Sequence, residues 1–406
     1  MARGTSETHR GQDYSFSCNT SAVLYDRPLF SNFTTLYLVF IRGVDVIWFL
    51  AILAVLVLIT VFHLRGQDFS EYDSPPGQSF DLGHEPSDEH DAVVASLDVG
   101  IGPVQRASRS QRLALMREYM DGISGSQDFH AAFTPVDAGG VKAEWVLAPG
   151  ADSDRRVLYI HGGAFVMGSP VSHRNITSRF SEIANAAVLA IDYRLMPENP
   201  RKAGIEDCRT AYQWILRNGP DGPAPAERVY VGGDSAGGNL TLSLIAWVRD
   251  QELRQPDAAV ALSPVTDSTF GSPSLKQNME TDAMLGPMFK GLARVPKPLL
   301  WWFVWFQNRM SPNNPRLSPV YGDLSGLPPT LVHASEAELL FDDARRYVNR
   351  AAAAGSPVRL QSWAHVVHVW HMFYPQLTEA RNAWEEIEKF INETDIDRAP
   401  QAGEHS

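Results

Sequence analysis

From Val46 to Phe62 the chain runs VIWFLAILAVLVLITVF, with Thr60 its only non-apolar position. As a helix rising 1.5 Å per residue this run reaches roughly 25 Å, and Val44 and Leu64 extend it toward the roughly 30 Å hydrocarbon layer of a bilayer. A helix at the surface of a soluble protein keeps a polar face, and this one has none. A cleaved signal peptide fits poorly, because a long polar stretch precedes the run and no small-residue cleavage site follows in HLRGQDFSEY. The pattern predicts an uncleaved, single-pass transmembrane anchor over residues 44–64. Arg3, Arg10, Arg27 and Arg42 precede it, while Arg65 is the nearby cation after it. That asymmetry predicts a cytoplasmic N-terminus and an extracytoplasmic main domain.

Beyond the anchor, residues 65–106 are rich in Gly, Pro, Asp, Glu and Ser and read as a flexible linker. Periodic structure then sets in. Gln111–Ile123 carries Leu113, Met116, Tyr119 and Met120 at helical spacing. Short apolar runs follow, at Val157–Ile160, Val188–Ile191, Val229–Val231, Ala258–Leu262, Thr330–His333 and Val358–Trp363. They alternate with helical stretches at Ser178–Ala184, Ile205–Leu216, Asn239–Arg249, Asp342–Ala354 and Glu379–Ile391. Apolar strands alternating with amphipathic helices predict an α/β domain over 107–396, with a mostly parallel sheet covered on both faces. Residues 1–43 read as a polar tail and 397–406 as a disordered tail.

Composition narrows the function. Hydrophobic residues form 44% of the 406 and charged residues 20%, which is globular and excludes coiled-coil, collagen-like and wholly disordered chains. A net charge of −12 argues against a nucleic-acid partner, whose phosphates call for clustered Lys and Arg. Two cysteines provide neither a disulfide framework nor a thiolate metal site.

The chemistry lies in RVYVGGDSAGGNLTLSLIAWV. An apolar strand passes through Gly233-Asp234-Ser235-Ala236-Gly237 into a helix, which is the G-x-S-x-G pattern in its strand–turn–helix setting. A serine at the tip of so tight a turn needs small neighbours, and the helix that follows aims its positive end at charge developing on a substrate oxygen. A P-loop would need Gly-Lys-Ser/Thr next, and a dinucleotide fingerprint would need G-x-G-x-x-G after the first strand; neither is present. Upstream, VLYIHGGAFVMGS sets His161-Gly162-Gly163-Ala164 directly after another strand, where residues poor in side chain leave backbone N–H groups free to face a cleft.

These segments resemble the hormone-sensitive-lipase-like esterases of the α/β-hydrolase superfamily. HGGAF is similar to that family's HGGG-type motif, GDSAGGNL to its serine elbow and AIDYRLMPENP to the segment between them, while SPVYGDLSGLPPTLV resembles the stretch before its catalytic acid. The likeness covers about Leu113 to Ile391 and is weak between Met284 and Asn314. It implies an α/β-hydrolase fold with a helical cap built from about 107–130 and 268–316. It also implies an oxyanion hole from the loop Gly162, Gly163, Ala164 and from Ala236, with Gly163, Ala164 and Ala236 as N–H donors, and a reaction without metal or organic cofactor.

A serine nucleophile needs a base and the base an orienting carboxylate, which in this superfamily follow in the order Ser, acid, His. WAHVVHVWHMF offers His365, His368 and His371, and the family pattern falls on His368. In ASEAELLFDDARRY the family position falls on Glu338, with Glu336 and Asp342 as alternatives; Asp342 and Asp343 also suit the first turn of a helix. The aromatic run Leu299–Phe306 admits three roles: a cap helix whose Trp301, Trp302 and Trp305 line an acyl pocket, a surface dipping into the membrane interface, or core packing. The expected substrate is a small hydrophobic ester met at or near a membrane. Removal of amide or acetyl groups by the same chemistry is the alternative, and a non-catalytic receptor on the same fold is the third reading.

Overall fold

Strands apolar on both sides must be covered on both sides, and the computed structural model, which describes residues 46–75, 77–80, 85–125 and 128–398, is built that way. Its strands are β1 (Gln78–Phe80), β2 (Ala132–Asp137), β3 (Lys142–Leu147), β4 (Asp152–Ile160), β5 (Ala186–Ile191), β6 (Arg228–Asp234), β7 (Ala258–Leu262), β8 (Thr330–Ser335) and β9 (Val358–Trp363). They form one sheet in the order β1-β9-β8-β7-β6-β4-β5-β3-β2. Pairing is parallel from β1 to β5 and antiparallel where β3 meets β5 and β2 meets β3.

The larger helices are α1 (Val46–Leu64), α2 (Asp88–Arg106), α3 (Arg112–Gly125), α4 (Arg174–Ile183), α5 (Arg201–Ile215), α6 (Ala236–Asp250), α7 (Lys297–Asn308), α8 (Phe341–Ala353) and α9 (Thr378–Arg398). Trp145 and Leu158 meet Tyr212, Ile215, Leu240 and Leu244 of α5 and α6 on one face of the sheet. On the other, Tyr159, Val188 and Val260 pack on α4 and α9, where Phe180 stands edge-on to Trp384 at 5.0 Å. By contact density the chain divides into residues 1–57 and 58–406. Within the first, the described residues 46–57 are helical and apolar.

The strand order decides where the chemistry sits. β4 leads outward to β5, whereas its other neighbour β6 leads the opposite way to β7, so the loops after β4 and β6 diverge and leave a crevice at their carboxyl ends.

Residues 65–106, read from composition as a flexible linker, are largely structured. β1 forms the sheet edge, parallel to β9, and α2 is capped by Ser87, whose hydroxyl accepts from the His90 N–H while Asp88, Glu89 and Asp91 occupy the positive first turn. Val93, Leu97 and Val104 bury one face of α2. Of the expected tails, residues 1–43 and 399–406 lie outside the described residues; α9 continues to Arg398.

Candidate active site

β6 ends in Asp234, and Ser235 stands between strand and helix with φ 51° and ψ −112°, a left-handed conformation that L side chains rarely hold. The surroundings enforce it. The Ser235 N–H donates to the Leu262 carbonyl at 2.7 Å and its carbonyl accepts from Asn239 at 3.1 Å. Gly237 is obligatory, because a Cβ there would stand 1.9 Å from the Ile160 carbonyl oxygen of β4. The hydroxyl is thereby held up at the carboxyl edge of the sheet, over the first turn of α6, whose leading N–H groups have no intrahelical acceptor.

The loop after β4 faces it. Gly163 (φ 107°), Ala164 (φ 53°) and Phe165 (φ 64°) all take left-handed backbone. The Gly163 carbonyl accepts from Val166 and Met167, while the N–H groups of Gly163 and Ala164 have no acceptor among the described residues. Gly162 is different: its N–H donates to Asp234 Oδ1 at 3.0 Å, so it fixes the loop and is not free to serve a substrate. Buried Asp234 also accepts from Tyr159 Oη (2.5 Å) and from His173 Nε2 (3.3 Å), which ties the elbow to the floor of the loop. His161 donates from Nδ1 to the Gly162 carbonyl and stacks on Tyr193 at 4.3 Å; burial, then the neighbouring His173, pushes its pKa down to about 3, so it is neutral. From the cap, Arg117 of α3 donates to the Val166 and Met196 carbonyls and pairs with Glu198. Arg201 lays its guanidinium 3.3 Å from the Phe165 ring centroid and donates to Asn239 Oδ1.

His368 follows β9 and Glu338 follows β8. The imidazole Nδ1 and Glu338 Oε2 are 2.6 Å apart, with both side chains buried. Glu338 Oε1 accepts from the Ser335 N–H. Burial raises the Glu338 pKa against the opposing pull of His368 and Ser263. For His368, burial alone would favour the neutral ring, but the Glu338 charge and hydrogen bond, with Asp282 and Asp234 behind them, outweigh it and lift its pKa above 6.5. The alternatives are engaged elsewhere. Glu336 Oε1 accepts from Ser79 and Ser362, Asp342 accepts from the Ser274 N–H and from Arg345, and His371 Nε2 meets His333 Nδ1 at 3.0 Å in a buried pair.

Ser235, His368, Gly163, Ala164 and Ala236 line one cavity of about 850 Å³. Met116, Tyr119 and Met120 of α3, Val93 and Leu97 of α2, and Leu285 and Phe289 close it with apolar surface. The cavity face of α7 consists of Phe303, Val304, Gln307 and Asn308. The expected pocket residues Trp301, Trp302 and Trp305 are not on it. At about 100° per residue, Trp302 and Trp305 turn away from that face and Trp301 stands at its border beside Asn308; Trp301 Nε1 donates to the Thr269 carbonyl, Trp302 Nε1 donates to Thr60 Oγ1, and Trp302 and Trp305 pack edge to face at 5.6 Å. The lining from α2, Arg117 and Arg201 went unread in the sequence, although Val93 and Leu97, four apart, carried a helical signal. Chemically, a hydroxyl on strained backbone, a carboxylate-held imidazole and unengaged amides around one apolar cavity suit acyl transfer.

Residues 157–372 match a family described as the alpha/beta hydrolase fold. Over 256 residues, 63% of this chain and 81% of the relative, the sequence is 38% identical to an acetyl-hydrolase of Streptomyces hygroscopicus. Over 275 residues, 65% and 70% respectively, it is 34% identical to the carboxylesterase/phospholipase LipF of Mycobacterium tuberculosis. A solved esterase from the bacterial hormone-sensitive lipase family aligns with a TM-score of 0.66 at 34% identity, over 76% of this chain and 99% of that one.

Proposed function

Since the chain belongs to the hormone-sensitive-lipase-like esterases of the α/β-hydrolase superfamily and is a carboxylic ester hydrolase, we propose that it cleaves hydrophobic esters through an acyl-enzyme on Ser235. His368 Nε2 takes the Ser235 proton as Oγ attacks the ester carbonyl. The carbonyl oxygen, now negative, is received by the N–H groups of Gly163, Ala164 and Ala236, and loss of one such donor typically costs about 3 kcal/mol of transition-state stabilisation. His368 then protonates the leaving alcohol, and water activated by the same imidazole releases the acid. Glu338 holds Nδ1–H toward itself, so that Nε2 faces the serine, and stabilises the imidazolium.

The observation that carries this reading is the buried 2.6 Å contact between His368 and Glu338 beside the cavity that Ser235 also lines. The size and apolar lining of that cavity support a substrate with a hydrophobic acyl or alcohol portion. Similarity to an acetyl-hydrolase supports a second reading, removal of short acetyl groups, which hydrolysis of an acyl-length series would separate from the first. Among the described residues one helix, Val46–Leu64, is long and apolar enough to cross a membrane. We read it as a single-pass anchor, carrying a catalytic body that runs from 58 to the end of α9 on the extracytoplasmic side. Ser235→Ala tests the nucleophile: hydrolysis of p-nitrophenyl butyrate should fall by a factor on the order of 10⁶, and near-normal turnover would refute the assignment.

A further inference from the structure

α7 presents three faces. One lines the cavity and one packs through Trp302 on Thr60; the third, Leu299, Phe303 and Phe306 at helical spacing, is 60%, 59% and 56% exposed. Single exposed apolar residues are ordinary, but a continuous stripe on one helix is not. Exposed Met288 and Val295 precede it on the same segment. Phe303 belongs both to the stripe and to the cavity wall, so the cavity meets the outside at this apolar surface.

The last turns of α1 are fastened to the same segment. Besides Trp302 to Thr60, Ser311 Oγ donates to the His63 carbonyl at 2.6 Å and Asn313 Nδ2 to that of Arg65 at 3.2 Å, and Leu64 is fully buried. A 19-residue helix ending at Leu64 is roughly 28 Å long, so a helix bonded at Thr60 stands at the depth where hydrocarbon gives way to headgroups. Charge agrees. From Ala283 to Gly322 the chain carries Lys290, Arg294, Lys297, Arg309 and Arg316 and no Asp or Glu, within a protein of net charge −12. All five are solvent-exposed; Lys290 pairs with Glu280 at 3.0 Å, and the other four suit a surface resting on polar headgroups.

We infer that α7 is a membrane-seated portal: its Leu299–Phe303–Phe306 stripe lies in the bilayer interface, and uncharged esters pass from the lipid beside Phe303 into the catalytic cavity without crossing water. The inference rests on the ester-hydrolase and anchor readings and adds the route and the substrate class, esters that partition into the bilayer.

The test uses the full chain in vesicles of phosphatidylcholine and phosphatidylglycerol, with two esters of one chromophore: p-nitrophenyl palmitate dissolved in the bilayer and p-nitrophenyl acetate in water. Leu299→Gln combined with Phe306→Gln, neither of which lines the cavity, should slow the palmitate ester about tenfold and leave the acetate rate unchanged. In parallel, Leu299→Cys in a Cys18→Ser background carries a bimane label, since Cys208 is buried; phosphatidylcholine spin-labelled near its headgroup should quench it. An unquenched label, an unchanged palmitate rate, or an equal fall with both esters overturns the portal. Shielding of the label that grows with protein concentration in detergent, without quenching by lipid, would show a second copy of the chain covering the stripe and equally overturns it. The underlying readings are checked apart. Activity surviving Ser235→Ala would end the hydrolase assignment, and release of the unsubstituted chain from membranes by alkaline carbonate would end the anchor, whatever the label reports.

Discussion

Replacing Glu338 by Gln removes the charge next to His368 while keeping nearly the same shape. The carboxylate sits 2.6 Å from Nδ1 with both groups buried, and its other oxygen is held by the Ser335 N–H. A carboxamide in that place gives a neutral acceptor or, turned over, a donor facing Nδ1 that favours the wrong tautomer. Loss of a factor of about 10²–10⁴ in kcat/KM follows, equivalent to roughly 2.7–5.4 kcal/mol. The pH profile has a definite sign. Catalysis needs the neutral imidazole, so the rate falls as pH drops through the His368 pKa. Burial alone would lower that pKa, and Glu338 is the largest of the groups that lift it above 6.5. The acid limb of the unsubstituted enzyme therefore lies above 6.5, and in Glu338→Gln burial prevails and the limb moves to lower pH. The assay is kcat/KM for p-nitrophenyl butyrate from about pH 5 to 9, with thermal melts showing that both proteins are folded. Glu336→Gln is the control, because that carboxylate bonds Ser79 and Ser362 instead. An unmoved acid limb in a folded Glu338→Gln enzyme, or a larger loss in Glu336→Gln, would refute the assignment of the orienting acid.

Two further changes test the geometry. Gly237→Ala puts a Cβ 1.9 Å from the Ile160 carbonyl, a backbone clash that no rotamer relieves. It should cost about 3 kcal/mol or more in urea unfolding, and wild-type stability would show that the elbow is looser than described. Val304→Phe narrows the cavity and should shift acyl preference toward shorter chains, whereas Trp302→Ala, on the face bonded to Thr60, should leave the chain-length profile unchanged. The reverse pattern across an acyl series would contradict the assignment of faces on α7.

What the sequence disclosed follows from which residues had alternatives. β5 and β7 are buried throughout and wholly apolar, and the buried parts of β4, β6, β8 and β9 carry apolar cores that mark them as strands. β2 is mostly exposed, contains Pro135 and pairs only with β3, so neither periodicity nor burial marked it. α2 was hidden by Gly100, Gly102 and Pro103, which suggest a tether although its capped first turn and buried Val93 and Leu97 sustain a helix. The serine elbow was legible because its backbone permits few residues: Gly237 has no room for a Cβ. Glu338 and His368 came from the resemblance to the family's pattern, and their side chains meet at 2.6 Å. The orientation of α7 was not legible, because LLWWFVWF is apolar all round and polarity cannot tell an inward face from an outward one. Only the bonds from Trp301 to Thr269 and from Trp302 to Thr60 do so.

The central claim is a nucleophilic serine at the tip of β6. Reaction of the full chain with a fluorophosphonate, followed by peptide mass mapping, tests it most directly. A phosphonyl adduct should form on Ser235, more slowly in the presence of competing p-nitrophenyl butyrate and more slowly in Glu338→Gln. An adduct on another serine, or an unmodified Ser235 in a chain that still hydrolyses the ester, would contradict it.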